Sequence, residues 1–147
     1  MDLIYLDYNC FQRGFDDPNQ IRIQFEAIAC EEIFKKAERK EVCLVWSFMH
    51  ADENILCPFV ERKLSVIHLS TLCKKKIGPE DKILNRAKAF QQKVNLSSKD
   101  AIHIACADYC GCRYFITCDE LLLKRSKRLN LKIKMMNPVD YIREVVK

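Results

Sequence analysis

Short apolar runs alternate with longer stretches of helical periodicity along this chain. Runs rich in branched and aromatic residues at positions 3–6, 42–46, 114–117 and 133–136 predict four buried strands. Between these runs, apolar residues recur at the spacing of a helix face. Strands that alternate with helices predict a mainly parallel sheet covered on both faces, which is a three-layer α/β/α sandwich.

Capping and breaking residues predict where the helices begin. The first long helix is predicted to begin at Pro18, with Asp17 as its N-cap, and to end near Lys40. Its predicted inner face consists of Ile21, Phe25, Ile28 and Ile33. A second helical region follows Ser47. Later helices are predicted over residues 80–94 and from near positions 98, 119 and 138.

Length and composition favour one globular domain over residues 1–147, because 49% hydrophobic residues are enough for one continuous core. No apolar run approaches the length of a membrane span, and acids at positions 2 and 7 argue against a signal peptide. We therefore expect a cytoplasmic protein without a membrane segment.

The nine cysteines lie mostly in apolar segments, and an odd number cannot pair fully within one chain. No two of them have the two-residue gap typical of zinc and redox motifs, so reduced, buried thiols are predicted. The nearest candidate zinc group consists of His103, Cys106, Cys110 and Cys112. Structural zinc sites usually take ligands from two separated pairs, which argues against this group.

Charge is divided unevenly along the chain. Residues 1–70 carry 8 basic and 12 acidic side chains, a net charge of −4, whereas residues 71–147 carry 17 and 8, a net charge of +9. An acidic half suited to cations beside a basic half suited to phosphates fits a nucleic-acid partner. An unevenly charged solvated surface explains the same counts, so charge alone does not decide between them.

Four acids occupy positions that the predicted sheet would bring together. Asp7 ends the first strand, Asp119 follows the third, and Asp100 lies in the first turn of the helix before that third strand. Glu53 lies six residues beyond Ser47, in the helix after the second strand. In open α/β sheets the functional crevice lies beyond the carboxyl ends of the strands. Carboxylates gathered there would share a hard divalent cation, and we expect Mg²⁺ or Mn²⁺.

Each acid also has a purely structural explanation. Asp7 is suited to a turn at the strand end, and Asp119 to an N-cap. Ser97 and Asp100 fit a capping box, and Glu53 beside Asp52 fits a solvated helix face. The order and positions of all four acids, more than any one of them, favour a site.

Four segments of the chain, LIYLDYN, VWSFMHADE, SSKDAIHIACA and YFITCDELLL, resemble in the same order the acidic motifs of PIN-domain ribonucleases, including VapC-type toxins. The resemblance spans nearly the whole chain. It implies a PIN-like domain and a metal-dependent endoribonuclease, with Asp7, Glu53, Asp100 and Asp119 as catalytic residues and metal ligands.

The match extends to supporting positions. Asn9, Ser47 and Thr117 agree with the family pattern, whereas Tyr8 stands where the family has Thr and Cys118 where it has Asn. Both departures leave the four carboxylates in place. For the second acid the sequence leaves alternatives at Glu26, Glu31 and Glu32.

Basic residues near the fourth acid are candidate substrate contacts. Lys124 and Arg125 follow Asp119 on the same predicted helix and would contact RNA phosphates. His50 and His103 are candidate general bases, although His103 among aliphatic neighbours fits a packed helix histidine better. If the chain is a toxin, the resemblance also implies an antitoxin partner and often a homodimer.

Two other functions compete with a nuclease. An aspartyl phosphotransferase would also place Asp7 after the first strand, but its usual pattern has a second Asp where Asn9 stands. A catalytically silent PIN-fold module that binds RNA or protein is the alternative from another class.

Overall fold

The computed structural model describes residues 1–146, in which every strand of the central sheet is parallel. The strands are β1 (Asp2–Leu6), β2 (Val42–Ser47), β3 (Lys75–Ile77), β4 (Tyr114–Ile116) and β5 (Lys134–Met136). Their order across the sheet is β3-β2-β1-β4-β5, so β1 lies at the centre. The chain crosses from one half of the sheet to the other after β3, which opens a crevice beside β1 at the carboxyl edge.

Helices cover both faces of the sheet. They are α1 (Tyr8–Gln12), α2 (Ile21–Glu38), α3 (Phe48–Ile55), α4 (Val60–Ser70), α5 (Asp81–Lys93), α6 (Ser98–Cys110), α7 (Glu120–Ser126) and α8 (Pro138–Glu144). Two short 3₁₀ turns, Arg13–Phe15 and Lys127–Leu129, follow α1 and α7.

Alternation along β1 divides the core into two layers. Ile4 and Leu6 pack with α1, α2, α4 and α8 on one face of the sheet, and Tyr5 packs with α5 and α6 on the other. Side chains on a strand point alternately to opposite faces, so a fully buried central strand serves both layers. The predicted three-layer α/β/α sandwich is therefore confirmed.

The predicted start and face of the first long helix were wrong. Pro18 lies in a turn and α2 begins only at Ile21, while the Asp17 side chain accepts a hydrogen bond from the Asn19 backbone. Of the four predicted inner residues only Ile33 is buried. Ile21, Phe25 and Ile28 are each more than half exposed. The apolar residues of α2 are distributed around nearly the whole helix, so their periodicity did not identify the face that packs.

Two elements were missed. Residues 75–77, for which no strand was predicted, form the edge strand β3 beside β2. Their lysine side chains are exposed, as is common on edge strands. Because two of the three residues are charged, β3 does not form an apolar run in the sequence. The short helix α1 follows Asp7 directly and places residues 8–12 at the crevice. Within residues 1–146, no helix combines the length and apolar character needed to cross a bilayer.

Candidate active site

The four acids predicted from sequence line one cleft at the carboxyl edge of the sheet. Asp7 follows β1, Asp119 follows β4, Glu53 projects from α3, and Asp100 lies in the first turn of α6. The cleft has a volume of about 540 Å³ and is lined by Asp7, Tyr8, Asn9, Gln12, Asp16, Glu53, Ser97, Lys99, Asp100 and Asp119. Elements far apart in sequence thus bring the four predicted carboxylates, together with that of Asp16, to the same space.

Asp7 is buried and held by neutral donors. One carboxylate oxygen accepts a hydrogen bond from the Tyr8 backbone N–H at 2.8 Å, which also caps α1. The other oxygen accepts from the Thr117 hydroxyl at 2.7 Å and from the Asn9 side-chain amide at 3.3 Å. These contacts fix the orientation of the carboxylate without neutralising its charge.

Thr117 and Asn9 tie the two strand ends together. The Thr117 hydroxyl donates to Asp7 and accepts hydrogen bonds from the Asn9 amide at 3.2 Å and from the Asp119 backbone N–H at 3.1 Å. The Asn9 carbonyl oxygen accepts from the Cys118 backbone N–H at 3.2 Å. A threonine hydroxyl has one donor and two acceptor positions, so Thr117 uses its full capacity here.

Asp119 and Asp100 both take part in helix capping and also line the cleft. Asp119 caps α7, and a single carboxylate oxygen accepts from both Leu121 and Leu122 N–H groups, at 3.0 and 3.1 Å. The Asp100 backbone N–H donates to the Ser97 hydroxyl at 3.0 Å. Capping therefore fixes the positions of both residues, while each of them still lines the cleft.

Glu53 is held by charged and polarisable partners. Its Oε1 hydrogen-bonds to Nε2 of His103, and its Oε2 lies 3.7 Å from the Lys99 ammonium. An ionised carboxylate only accepts hydrogen bonds, so Nε2 of His103 carries the proton. The remaining ring nitrogen, Nδ1, lies 2.5 Å from the hydroxyl of Tyr5.

Behind Glu53 the contacts continue as a buried chain of polar groups. The Tyr5 hydroxyl also bonds to the Ser47 hydroxyl at 2.7 Å, so Ser47, Tyr5, His103 and Glu53 are linked in sequence. Tyr5, Ser47 and His103 are each at most 1% exposed. Ser47 lies beneath the cleft, where it also caps α3, and does not line it.

His50 serves as a structural residue. Its Nδ1 accepts a hydrogen bond from the Ser47 backbone N–H at 2.9 Å, and its Nε2 donates to the Leu6 carbonyl at 2.7 Å. Burial, together with the nearby His103, holds the pKa of His50 well below its usual range. A neutral histidine with both nitrogens occupied has no free position for acid-base chemistry.

The cleft is short of positive charge. Burial is the main cause that raises the pKa of Asp7 to about 6; His103 and the Thr117 hydroxyl lower that pKa, and the charges of Asp100 and Glu53 raise it further. The pKa of Asp100 is raised by its burial and by the charges of Asp119 and Glu53. Ionised carboxylates in this cleft therefore repel one another, as expected for groups that bind a cation.

The donor set fits a hydrated hard cation. Across the described residues, no three of these carboxylates have oxygens that all lie within 4.8 Å of one another. Mg²⁺ usually takes only one or two carboxylates directly and keeps several waters, so a ring of acids around an open cleft suits it. Oxygen donors without thiols or imidazoles on the cleft wall favour Mg²⁺ or Mn²⁺ over zinc.

The structure separates the alternative second acids from the cleft. Glu26 is buried and accepts a hydrogen bond from the Asn137 amide at 2.6 Å, with Arg22 at 3.3 Å. Glu31 and Glu32 form ion pairs with basic residues on the outside of α2. Glu53 is the candidate that lines the cleft.

The basic residues predicted to contact substrate lie outside the lining of the cleft. Lys124 and Arg125 lie in the last turn of α7 and do not line the cleft. Lys99, which sequence reasoning missed, does line it and lies next to the third acid in sequence. Its position, one residue before Asp100 on a predicted helix start, was the available signal.

The role of His103 was also missed. The sequence favoured a packed helix histidine, and His103 is indeed buried, but it also holds the Glu53 carboxylate. Asp100 and His103 are three positions apart, which places both on one face of α6. This spacing could have linked His103 to the site.

Comparison with known protein families and with curated proteins found no family model and no protein that matches this chain. Function is therefore inferred from the site itself and from the sequence resemblance.

Proposed function

We propose that this protein is a metal-dependent endoribonuclease that hydrolyses RNA phosphodiester bonds with Mg²⁺ or Mn²⁺. The observation that carries the proposal is the convergence of Asp7, Glu53, Asp100 and Asp119 on one cleft. The resemblance of the four acidic segments to PIN-domain ribonucleases supports the same reaction and supplies the choice of RNA.

The residues of the cleft have distinct roles in this proposal. Asp7, Asp100 and Asp119 hold the cation, and Thr117 and Asn9 keep Asp7 oriented toward it. A bound dication would neutralise charge on the scissile phosphate and lower the pKa of a water molecule. Glu53, held by His103, orients the attacking water, and Lys99 contacts a phosphate oxygen of the substrate.

The shape of the cleft supports a polymeric substrate. It is open to solvent, and its walls are polar, with the Lys99 ammonium and the Gln12 amide beside the acids. A phosphate of an extended strand can enter such a cleft while neighbouring nucleotides remain on the surface. Backbone contacts of this kind supply affinity without sequence preference.

The proposal also includes a protein partner and a cytoplasmic location. Exposed apolar side chains on α2 and α4 flank a groove of about 710 Å³, which supports contact with another protein. An antitoxin that blocks the cleft, or a second copy of the chain, is the partner that the sequence resemblance implies. A cytoplasmic location goes with an RNA substrate and with nine free cysteines.

The experiment that tests the proposal is a cleavage assay with end-labelled single-stranded RNA, structured RNA and DNA of the same sequence. We expect RNA cleavage with Mg²⁺ or Mn²⁺ and none with a chelator. Asp100→Asn should abolish cleavage, whereas Asp81→Asn, which replaces an exposed acid in the first turn of α5, should leave it unchanged.

The assay also separates the competing functions. RNA that stays intact with every metal, but is bound by the protein, would overturn the nuclease and favour a silent RNA-binding module. Cleavage that survives Asp100→Asn would show that the activity belongs to a contaminant or to another site.

A further inference from the structure

A second group of potential metal ligands lies outside the acidic cleft. Cys10 on α1, Cys30 on α2 and Cys118 between β4 and α7 bring their sulfur atoms within 4.8 Å of one another. All three side chains are at most 3% exposed. Residues separated by 20 and 88 positions thus form one buried group, which we call the thiol cluster.

The spacing of the sulfur atoms matches a metal-thiolate site. The sulfur atoms of Cys10 and Cys118 are 4.0 Å apart. Three thiolates at the usual Zn–S distance of about 2.3 Å lie about 4.0 Å apart in a trigonal arrangement and about 3.8 Å apart in a tetrahedral one. The thiol cluster therefore needs only small side-chain movements to enclose an ion.

A disulfide explains the thiol cluster less well. Its two sulfur atoms would have to approach to about 2.05 Å, and the third thiol would remain unpaired. The Cys10 thiol has one proton, yet it lies within hydrogen-bonding distance of the Asn9 amide oxygen and the Ile116 carbonyl, each at 3.4 Å. A metal would engage all three sulfur atoms, with the Cys10 proton released to solvent.

One charged pair lies beside the thiol cluster. Arg13 Nε and Glu26 Oε1 are 3.3 Å apart, and Arg13 also pairs with Asp16 at 2.9 Å. Arg13 and Glu26 line a cleft together with Cys118. Three thiolates and a divalent cation carry a net charge of −1, and the Arg13 guanidinium supplies positive charge beside them.

Two clefts border the thiol cluster. A cleft of about 350 Å³ is lined by Arg13, Glu26 and Cys118 among others, and the groove between α2 and α4 reaches Cys10 and Cys30. An entry path of this kind is required of any functional metal site. The smaller cleft also has room for water as a fourth ligand.

We propose that Cys10, Cys30 and Cys118 bind a thiophilic d¹⁰ cation, of which Zn²⁺ is the test case. Binding forms three metal–sulfur bonds and releases three protons to solvent. Soft thiolate ligands select such ions, whereas the oxygen ligands of the acidic cleft select Mg²⁺ or Mn²⁺. The bound ion ties α1 and α2 to the loop that carries Asp119. This inference does not depend on nuclease activity.

The test is a titration of the fully reduced, full-length protein with Cd²⁺ in excess Mg²⁺, followed by its thiolate-to-metal charge-transfer absorption. We expect one equivalent to saturate the signal and Zn²⁺ to displace it. Cys30→Ser and Cys118→Ser should each weaken binding at least about tenfold, because each removes one of three ligands. Cys57→Ser, which replaces a partly exposed thiol outside the thiol cluster, should titrate like the wild type.

A second measurement uses only the wild-type chain, in case a variant does not fold. Zn²⁺ should slow alkylation of Cys10, Cys30 and Cys118, located by mass spectrometry, and leave Cys57 unaffected. The absence of a saturable signal would overturn the proposal. An equal signal in both cluster variants, or protection of other cysteines instead, would overturn it as well.

Discussion

Two carboxylates of the acidic cleft, those of Asp7 and Glu53, are held by different means. Asp7 is almost fully buried and accepts hydrogen bonds from uncharged donors, including the Thr117 hydroxyl. Glu53 instead lies between the His103 ring and the Lys99 ammonium. Within residues 1–146 Asp7 forms no ion pair, whereas Glu53 lies beside a cation of its own.

From this difference we infer that Asp7 binds the cation and that Glu53 positions water. A buried, desolvated carboxylate without a cationic partner gains most from a dication, so Asp7 is the expected anchor of the ion. Glu53 needs less compensation, and its fixed orientation through His103 fits a residue that positions water.

Asp7→Asn should reduce RNA cleavage by more than about 100-fold, beyond the range typical of residues that only support a metal ligand. The amide cannot supply the negative charge, although its oxygen can still accept from Thr117. The measurement is kcat with saturating Mn²⁺. The control is Asp17→Asn, an exposed acid outside the cleft. Activity close to that of the wild type would remove Asp7 from the role of anchor.

Without metal, the stability of the protein should fall as Asp7 ionises. Its folded-state pKa of about 6 lies above the unfolded value of about 3.9, so the folded state binds the proton more tightly. The free energy of unfolding contributed by Asp7 should therefore decrease by about 3 kcal/mol in total as pH rises from about 3 to 7, and stay level above that.

Urea unfolding in a chelator, compared between the wild type and Asp7→Asn at each pH, measures this contribution. The difference between the two proteins should change in favour of the variant with rising pH. A difference that does not vary between about pH 4 and 7 would mean that Asp7 is not desolvated in the folded protein.

His103→Phe should lower kcat about 10- to 100-fold while leaving Mn²⁺ affinity nearly unchanged, because His103 orients Glu53 and does not face the ion. His103→Gln, which can still donate a hydrogen bond to Glu53, should restore part of the rate. His68→Gln, at a histidine of α4 outside the cleft, is the control. If His103→Phe changed stability alone, or if His103→Gln gave no recovery, His103 would be only a packing residue.

Lys99→Ala should weaken RNA binding by up to about tenfold and reduce the salt dependence of binding by about one phosphate contact. Lys124→Ala is the matched comparison, because Lys124 was predicted to bind substrate but lies away from the cleft. Binding measured by fluorescence anisotropy over a range of salt concentrations separates them. A larger effect at Lys124 would place the RNA path along α7.

The sequence predicted the central part of the fold because the buried strands leave a clear signal. β1, β2 and β4 are apolar runs, and turn- or cap-forming residues separate them from the helices. Parallel strands covered on both faces require an apolar composition. The packed face of α2 and the edge strand β3 could not be predicted in the same way. Tertiary contacts select the face of a helix that is apolar nearly all round, and an exposed edge strand does not need apolar side chains.

For the site, the sequence predicted which acids share the cleft but not how they are held. Each of the four acids follows a strand or lies in a helix beside one: Asp7, Glu53, Asp100 and Asp119. Because the carboxyl ends of parallel strands lie at the same edge of the sheet, acids at these positions lie close together. The buried chain from Ser47 through Tyr5 and His103 to Glu53 joins residues from β1, β2, α3 and α6. No local pattern encodes contacts of such separation, and the thiol cluster was hidden for the same reason.

The central claim is that the acids form one cation site anchored by Asp7, and calorimetric titration of Mn²⁺ tests it most directly. The wild type should bind Mn²⁺ saturably, Asp7→Asn and Asp119→Asn should lose that binding, and Glu53→Gln should retain it with reduced affinity. Equal Mn²⁺ binding by the wild type and by both aspartate variants would contradict the claim.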